Sequence, residues 1–267
     1  MLIDTHCHLT SPGLVEHADA VLARARAAGV GRVILVAVNP ADGRQALDLM
    51  SGRPDLFLIA GIHPHEARGC TPAQFAALSD LLRGAGRAGE LRRRIVGVGE
   101  TGLDLHYDFS PPARQEEVFR AQLVLAIELG LPVVIHSRES EPRVCAILAE
   151  YPALAGRVVF HCFSGDVEVT RRVLDLGAYC SFTGVVTFKK SVSIQEAARF
   201  VPRERILVET DAPYLSPEPV RRIRPNEPAL LVHTARFLAD LRGEPYAEFA
   251  AATTANAVRF FRLPEVR

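Results

Sequence analysis

No apolar run in the sequence approaches the roughly 20 residues that a membrane-spanning helix needs, so a helical membrane protein is excluded. Cysteine is scarce and unpaired. Cys7, Cys70, Cys145, Cys162 and Cys180 form no CxxC motif and leave an odd thiol. That pattern argues against a zinc ribbon or a disulfide framework, and the thiols read instead as small buried hydrophobes. Excess charge is missing as well: 31 Lys and Arg face 31 Asp and Glu, a formal net charge of zero. A protein that coats nucleic acid regardless of sequence carries surplus positive charge, which this chain lacks. Lysine is almost absent, with only Lys189 and Lys190, so nearly all the positive charge is arginine. No leader is visible either: Met1-Leu2-Ile3 runs straight into Asp4-Thr5-His6, which predicts no signal peptide and a cytoplasmic location.

What is present is an alternation of strand-like and helix-like segments from end to end, without repeats, low-complexity tracts or long linkers. Apolar runs rich in Val and Ile occur at Leu2–Thr5, Arg32–Val38, Leu56–Ile62, Ile95–Glu100, Pro132–His136, Val158–His161, Tyr179–Phe182 and Ile206–Glu209. Pro111 and Pro112 signal a helix start, and Val118, Ala121, Leu125 and Leu129 then recur at helical spacing until Gly130. Gly29, Gly177 and Gly243 stop other helical segments in the same way, and Tyr246 to Phe261 reads as a closing amphipathic helix. Eight strands with helices between them predict a TIM-like (β/α)₈ barrel over residues 1–267, a single domain with its C-terminal helix packed on the barrel. The hydrophobic fraction of 48% is enough for such a core.

Side chains able to bind metal gather at the predicted strand ends. His6 and His8 end the first strand, Glu100 the fourth, His136 the fifth and His161 the sixth, while Asp211 follows the eighth. In a barrel these ends converge on one mouth, where active sites of the fold lie. His6-Cys7-His8 sets two imidazoles on one side of an extended strand, able to grip a single ion. Alone, the pair could equally be two satisfied strand-end histidines; four further ligand types nearby favour the metal. Glu100 lies among Gly97, Gly99 and Gly102, which let the backbone approach a ligand closely; the plainer alternative is a Glu paired with an arginine. His136 and His161 each end an apolar run and need a partner, be it metal, carboxylate or water. Asp211 could bind metal or act as general base, with Glu209 placed to support the site. Asp104 could cap a turn or orient a ligand. Cys7 and Cys162 are given no metal role, because a strand neighbour points to the opposite face.

Four histidines and two carboxylates suit a borderline ion such as zinc, manganese, iron or nickel better than calcium. Six ligands exceed the usual three of a one-zinc catalytic site, so a binuclear centre sharing one carboxylate accounts for them better. Two ions about 3.5–4 Å apart could activate water and clamp a phosphoryl displacement. Lys189 and Lys190 follow the seventh predicted strand, so no lysine stands where a carboxylated lysine would bridge metals. The bridging role then falls to Glu100. The same site could also hydrolyse an ester or amide, such as an aminoacyl-tRNA or a cyclic amide. A third possibility is a non-enzymatic scaffold with structural metals, which has no need of so many ligands at an open mouth.

With these residues assembled, nearly the whole chain resembles the TatD family of metal-dependent deoxyribonucleases, among the amidohydrolase-like barrels. The likeness is carried by Asp4-Thr5-His6-Cys7-His8, Gly61-Ile62-His63-Pro64-His65 and Gly99-Glu100-Thr101-Gly102-Leu103-Asp104. It continues through Gln115, Phe119 and Gln122 into Leu131-Pro132-Val133-Val134-Ile135-His136-Ser137-Arg138, then His161-Cys162-Phe163-Ser164-Gly165. Glu209-Thr210-Asp211-Ala212-Pro213-Tyr214, Arg224-Pro225-Asn226-Glu227-Pro228 and Thr254-Ala255-Asn256 complete it. Two departures stand out: Thr101 where isoleucine is common, and Leu105-His106-Tyr107 where an aromatic usually follows the aspartate directly.

The resemblance implies His6, His8, Glu100, His136, His161 and Asp211 as ligands of two divalent ions (Mg, Mn or Zn), with Glu100 and Asp211 catalytic. It implies His63 and His65 as substrate-facing near the phosphate, with a solvent-exposed His-Pro turn as the alternative for that pair. The implied activity is hydrolysis of DNA phosphodiester bonds, directed to single strands or 3′ ends, with no membrane and no obligate protein partner. Arg138, two residues beyond His136, is the favoured phosphate contact; Arg221 and Arg222 read as solvated surface, and Arg224 belongs to the same basic group.

Overall fold

Eight parallel strands follow one another around the sheet in sequence order, β1 (Leu2–Cys7), β2 (Val30–Ala37), β3 (Leu56–Ala60), β4 (Ile95–Asp104), β5 (Val133–Arg138), β6 (Val158–Phe160), β7 (Tyr179–Phe182) and β8 (Ile206–Val208). The structure, a computed structural model, describes residues 1–84 and 90–265. Around the strands lie α1 (Ala18–Ala27), α2 (Pro40–Leu49), α3 (Pro72–Arg83), α4 (Glu90–Arg93), α5 (Pro112–Leu129), α6 (Glu141–Ala149), α7 (Val167–Asp175), α8 (Val192–Phe200), α9 (Leu231–Arg242) and α10 (Tyr246–Phe261). This is the expected TIM-like barrel. No helix among the described residues is long and apolar enough to cross a membrane.

The strands are apolar on both faces because each face meets a different layer. On β2, Ile34 and Val36 pack inside the barrel, whereas Val33, Leu35 and Ala37 join the core between strands and helices. That is the two-residue period of a strand buried on both sides. The C-terminal helix α10 closes one end of the interior: Ala257, Phe260 and Phe261, with Leu263 beyond, complete the inner cluster. Phe260 meets Tyr179, the first residue of β7, with ring centroids 4.9 Å apart. The plugged end is therefore where the strands begin. Each buried phenylalanine there is worth on the order of 2–3 kcal/mol of burial, and the opposite mouth is left for chemistry.

Among the described residues, the barrel closes where Cys7 of β1 bridges to Ala212, just beyond β8. Side chains strengthen that seam. Asp4 accepts hydrogen bonds from the Thr210 amide (2.9 Å), the Thr210 hydroxyl (2.5 Å) and the His6 amide (3.3 Å). Thr5 donates to the Val208 carbonyl at 3.0 Å. Burial pushes the Asp4 carboxyl up to about 7, against the opposing pull of the Thr210 donors. Removing it leaves buried donors unsatisfied, each costing about 1–3 kcal/mol. Asp4→Ala is accordingly expected to lose about 3 kcal/mol of stability in urea unfolding. An unchanged midpoint would show that the seam does not depend on this carboxylate.

Several strand ends differ from the sequence reading. β4 does not stop at Glu100 but continues to Asp104, and β5 continues past His136 to Arg138. The register explains it: Val98 pairs with Val133 while Thr101 pairs with Ile135, so β4 carries an extra residue at Gly99–Glu100. A bulge re-aims a side chain without ending the strand. Gly102 makes the continuation possible, since its φ of 143° suits glycine and an added Cβ would strike the His136 carbonyl oxygen. The helix opened by Pro111 and Pro112 and the closing helix both fall where expected; Gly130 ends α5 with φ 66°.

Candidate metal centre

The six side chains expected as ligands arrive in one cluster at the open mouth. His6 comes from β1 and His8 from just beyond it; Glu100 projects from the β4 bulge, His136 from β5, and His161 directly follows β6. Asp211 lies beyond β8 with φ 54°, a left-handed conformation that aspartate tolerates better than most residues.

Glu100 divides its two oxygens between two groups of imidazoles. Oε2 lies 3.3 Å from His6 Nε2 and 3.7 Å from His8 Nε2. Asp211 Oδ1 completes that group, 3.8 Å from His6 Nε2 and 3.4 Å from His8 Nε2, and the two imidazole nitrogens are 3.3 Å apart. Donors on a tetrahedral ion at about 2.0–2.2 Å stand roughly 3.3–3.6 Å from one another, so this spacing fits a transition-metal ion. On the other side, Oε1 lies 2.6 Å from His136 Nδ1 and 2.7 Å from His161 Nε2. These are charge-assisted hydrogen-bond lengths, in which protons hold the groups together.

Carboxylates behind the imidazoles orient them. His136 Nε2 is 3.0 Å from Asp104 Oδ2, and His161 Nδ1 is 3.2 Å from Glu209 Oε1. A proton given to the carboxylate leaves the opposite ring nitrogen free to bind a cation beside Glu100. Glu209 is itself held by the Cys162 amide at 2.6 Å and the Ser181 hydroxyl at 2.5 Å. Asp104 does both things open to it from the sequence. Its Oδ1 caps a turn, accepting from the His106 and Tyr107 amides at 3.0 Å each, while Oδ2 meets His136 and also His65 Nε2 at 2.8 Å.

The electrostatics follow from burial and proximity. Burial raises Glu100, but the imidazoles of His161 and His63 more than offset it and hold the carboxyl well below the usual range. Asp211 is likewise driven down, its burial outweighed by His8 and His6. His8, His136 and His161 are shifted upward despite desolvation: Asp211 holds the proton on His8, Asp104 and Glu100 on His136, Glu100 and Glu209 on His161. His6 moves the other way, lowered by burial and by the neighbouring His161, with ring centroids 3.9 Å apart.

The remaining expected residues divide. His63 is not in an exposed turn: it is buried, with Nε2 3.3 Å from Glu100 Oε1 and 3.3 Å from His136 Nδ1, and burial lowers it to about 4. It thus stands among the groups able to hold an ion, a position the sequence reading missed. His65 lies on the cleft wall against Asp104. Arg138 is exposed on the same cleft, its guanidinium 4.7 Å above the Tyr107 ring. Arg221, Arg222 and Arg224 are exposed, and Arg221 stacks on Phe188 at 4.0 Å. Lys189 and Lys190 are exposed beyond β7.

Cys162 corrects an expectation. It does not point away from the cleft but lines it, because β6 ends at Phe160 and strand alternation no longer applies. Its φ of 43° turns the chain, and burial raises its thiol to about 12. Cys7 does point away, into the core between strands and helices.

Sequence reasoning also missed how α5 braces the site. Gln122 accepts from the Ile62 amide at 2.8 Å and donates to the Ile62 carbonyl and the Thr101 hydroxyl. Gln115 accepts from the Asp104 amide at 2.8 Å and donates to the carbonyls of Asp104 and Ser110. Two glutamines seven residues apart on the apolar face of a helix were the available signal, since buried amides require partners. The cleft above the cluster measures about 980 Å³.

Comparison with known proteins places this arrangement among relatives of similar length. The family described as TatD related DNase matches residues 3–262. A Bacillus subtilis protein named uncharacterized metal-dependent hydrolase YabD is 36% identical over 263 residues, covering 98% of this chain and 100% of that one. A Klebsiella pneumoniae protein named 3′-5′ ssDNA/RNA exonuclease TatD is 37% identical, covering 97% of each chain. The crystal structure of a TatD homologue from Escherichia coli superposes with a TM-score of 0.91 at 30% identity, covering 98% of each.

Proposed function

The chain belongs to the TatD-related DNase family and is a metal-dependent hydrolase, and from that premise we propose that it cleaves phosphodiester bonds of DNA from single-stranded 3′ ends at a binuclear centre. The observation that carries this reading is the division of Glu100, with one oxygen toward His6 and His8 and the other toward His136 and His161. A carboxylate so placed is suited to bridge two ions. His6, His8 and Asp211 would hold one ion, His136 and His161 the other, and His63 borders the second. Magnesium, manganese and zinc are the candidates. Relatives named as 3′-5′ ssDNA/RNA exonucleases support the substrate class.

Two divalent ions held there would supply activation of water at neutral pH and neutralisation of charge on the phosphoryl oxygens. The protein's own groups do the rest. Asp211, open to the cleft on one side, takes the proton from the attacking water. Arg138 binds the non-bridging phosphate oxygens in two-point fashion. Asp104 and Glu209 keep His136 and His161 in the orientation that presents the correct nitrogen.

The deciding experiment strips the protein of metal and adds back magnesium, manganese or zinc with 3′-labelled single-stranded DNA, beside an Asp211→Asn control. Cleavage restored by metal and lost in the control supports the proposal. Folded, metal-loaded protein that leaves every DNA intact overturns it and directs attention to carbonyl esters and amides.

A pH dependence follows from the shifted imidazoles. An ion needs the lone pair that a proton occupies, and His8, His136 and His161 keep protons to higher pH than free histidine. Metal binding near neutral pH is therefore expected to release protons, and affinity to fall as pH is lowered. Calorimetry in buffers of different ionisation enthalpy measures the release; an enthalpy independent of buffer would contradict it.

A further inference from the structure

Large aromatic side chains stand exposed around the metal cleft, where water contact is unfavourable unless something covers them. Tyr107 is 42% exposed, Phe109 55% and Tyr214 56%. They form two walls. Tyr107 and Phe109, with ring centroids 5.4 Å apart, rise beside His65 on the side of His136. Tyr214 stands near His8, its ring 6.2 Å from the imidazole, on the side of Asp211. One wall thus accompanies each half of the divided cluster.

The backbones of Tyr107 and Tyr214 are held firmly although the rings stand exposed. The Tyr107 amide donates to Asp104 Oδ1 at 3.0 Å, the same carboxylate that orients His136. The Tyr214 amide donates to the Asp211 carbonyl at 2.9 Å, and the buried side chain of Asn226 donates to the carbonyls of Thr210 and Tyr214. Exposed aromatic rings on fixed backbone are preorganised platforms, and the Arg138 guanidinium, 4.7 Å from the Tyr107 ring centroid, adds a cation–π contact beside the cleft.

We propose that Tyr214 and the Tyr107–Phe109 pair stack the two nucleobases flanking the scissile phosphate, and that this requirement selects single strands. A phosphodiester in the cleft has one nucleoside on each side, matching one wall on each side. Stacking accepts any base because every base has a π-face. Bases locked in a duplex cannot splay onto both walls without unpairing. The inference rests on the nuclease reading and adds the side chains that recognise the substrate.

The test compares a single-stranded oligonucleotide with one of equal length whose two 3′-terminal bases are replaced by abasic residues. Each lost stack is worth about 5- to 150-fold in kcat/KM, so wild type is expected to lose about 25-fold to 2 × 10⁴-fold on the abasic strand, which lacks two bases. Tyr214→Ala should lose about 5- to 150-fold on the natural strand, one base's share, and little further on the abasic one, while Tyr214→Phe retains wild-type behaviour. Metal content of each variant establishes that the centre is intact. Equal losses from Tyr214→Ala on both strands, or wild type that cleaves both equally, overturn the stacking role alone. Wild type that cleaves no oligonucleotide overturns the nuclease reading and this inference with it.

Discussion

Glu100→Gln is expected to abolish hydrolysis, with kcat down by at least ~10³-fold, and to lower the bound metal from two ions to one or fewer per chain. Glutamine keeps the volume and the β4 bulge, so the backbone has no reason to move. What disappears is the charge. Glu100 is buried with one oxygen toward each imidazole group, and it is the nearest anion to both His6 and His161. An amide presents one neutral oxygen and a nitrogen that cannot bind an ion. Among the described residues, the second group then retains only imidazoles around the vacated oxygen, with Asp104 on the far side of His136. Stability without metal should fall too, because partly protonated histidines lose the carboxylate that compensates them in a buried setting. Elemental analysis with circular dichroism and turnover decides the matter. Near-normal cleavage by a variant still holding two ions would remove Glu100 from the bridging position.

Asp211→Asn is expected to separate chemistry from assembly. The rate should drop by about 10²- to 10⁴-fold, the usual contribution of a positioned base, while the fold and most of the metal remain. Its backbone conformation favours this outcome: φ is 54°, and asparagine is as comfortable there as aspartate. The asparagine oxygen can still face His8, whose Nε2 lies 3.4 Å from Asp211 Oδ1. The lost function is proton acceptance, for which an amide has no capacity. Because His8, His136 and His161 still take up protons as pH falls, the acidic limb of the pH–rate profile should persist at the lower rate. A variant within tenfold of wild type at every pH would assign the proton to another group.

These two residues also show where sequence reading is strong and where it stops. The order of strands, the helix begun by Pro112 and ended by Gly130, and the six clustered side chains were legible because they follow from local rules. Apolar runs make strands, proline and glycine bound helices, and a parallel barrel carries all strand ends to one mouth. The family motifs were legible for the same reason, as short contiguous strings.

Contacts between distant segments were not legible. The motif suggests His63 as a substrate-facing residue, with an exposed His-Pro turn as the alternative, and only the packing of β3 against β4 places it 3.3 Å from Glu100. Cys162 looked like a strand residue facing away, until β6 proved to end before it. Gln115 and Gln122 were visible as motif letters, but their grip on Asp104 and Ile62 depends on how α5 lies across the barrel.

The sequence by itself determined the element pattern, the barrel and the chemical types gathered at its mouth, since these depend on periodicity and composition along the chain. Only the tertiary structure decided that Glu100 splits between two imidazole groups and that β4 bulges there. It alone set Tyr214 beside His8 and the Tyr107–Phe109 pair beside His65. Those features depend on register and side-chain direction between segments far apart in sequence, where a shift of one residue turns every side chain to the other face.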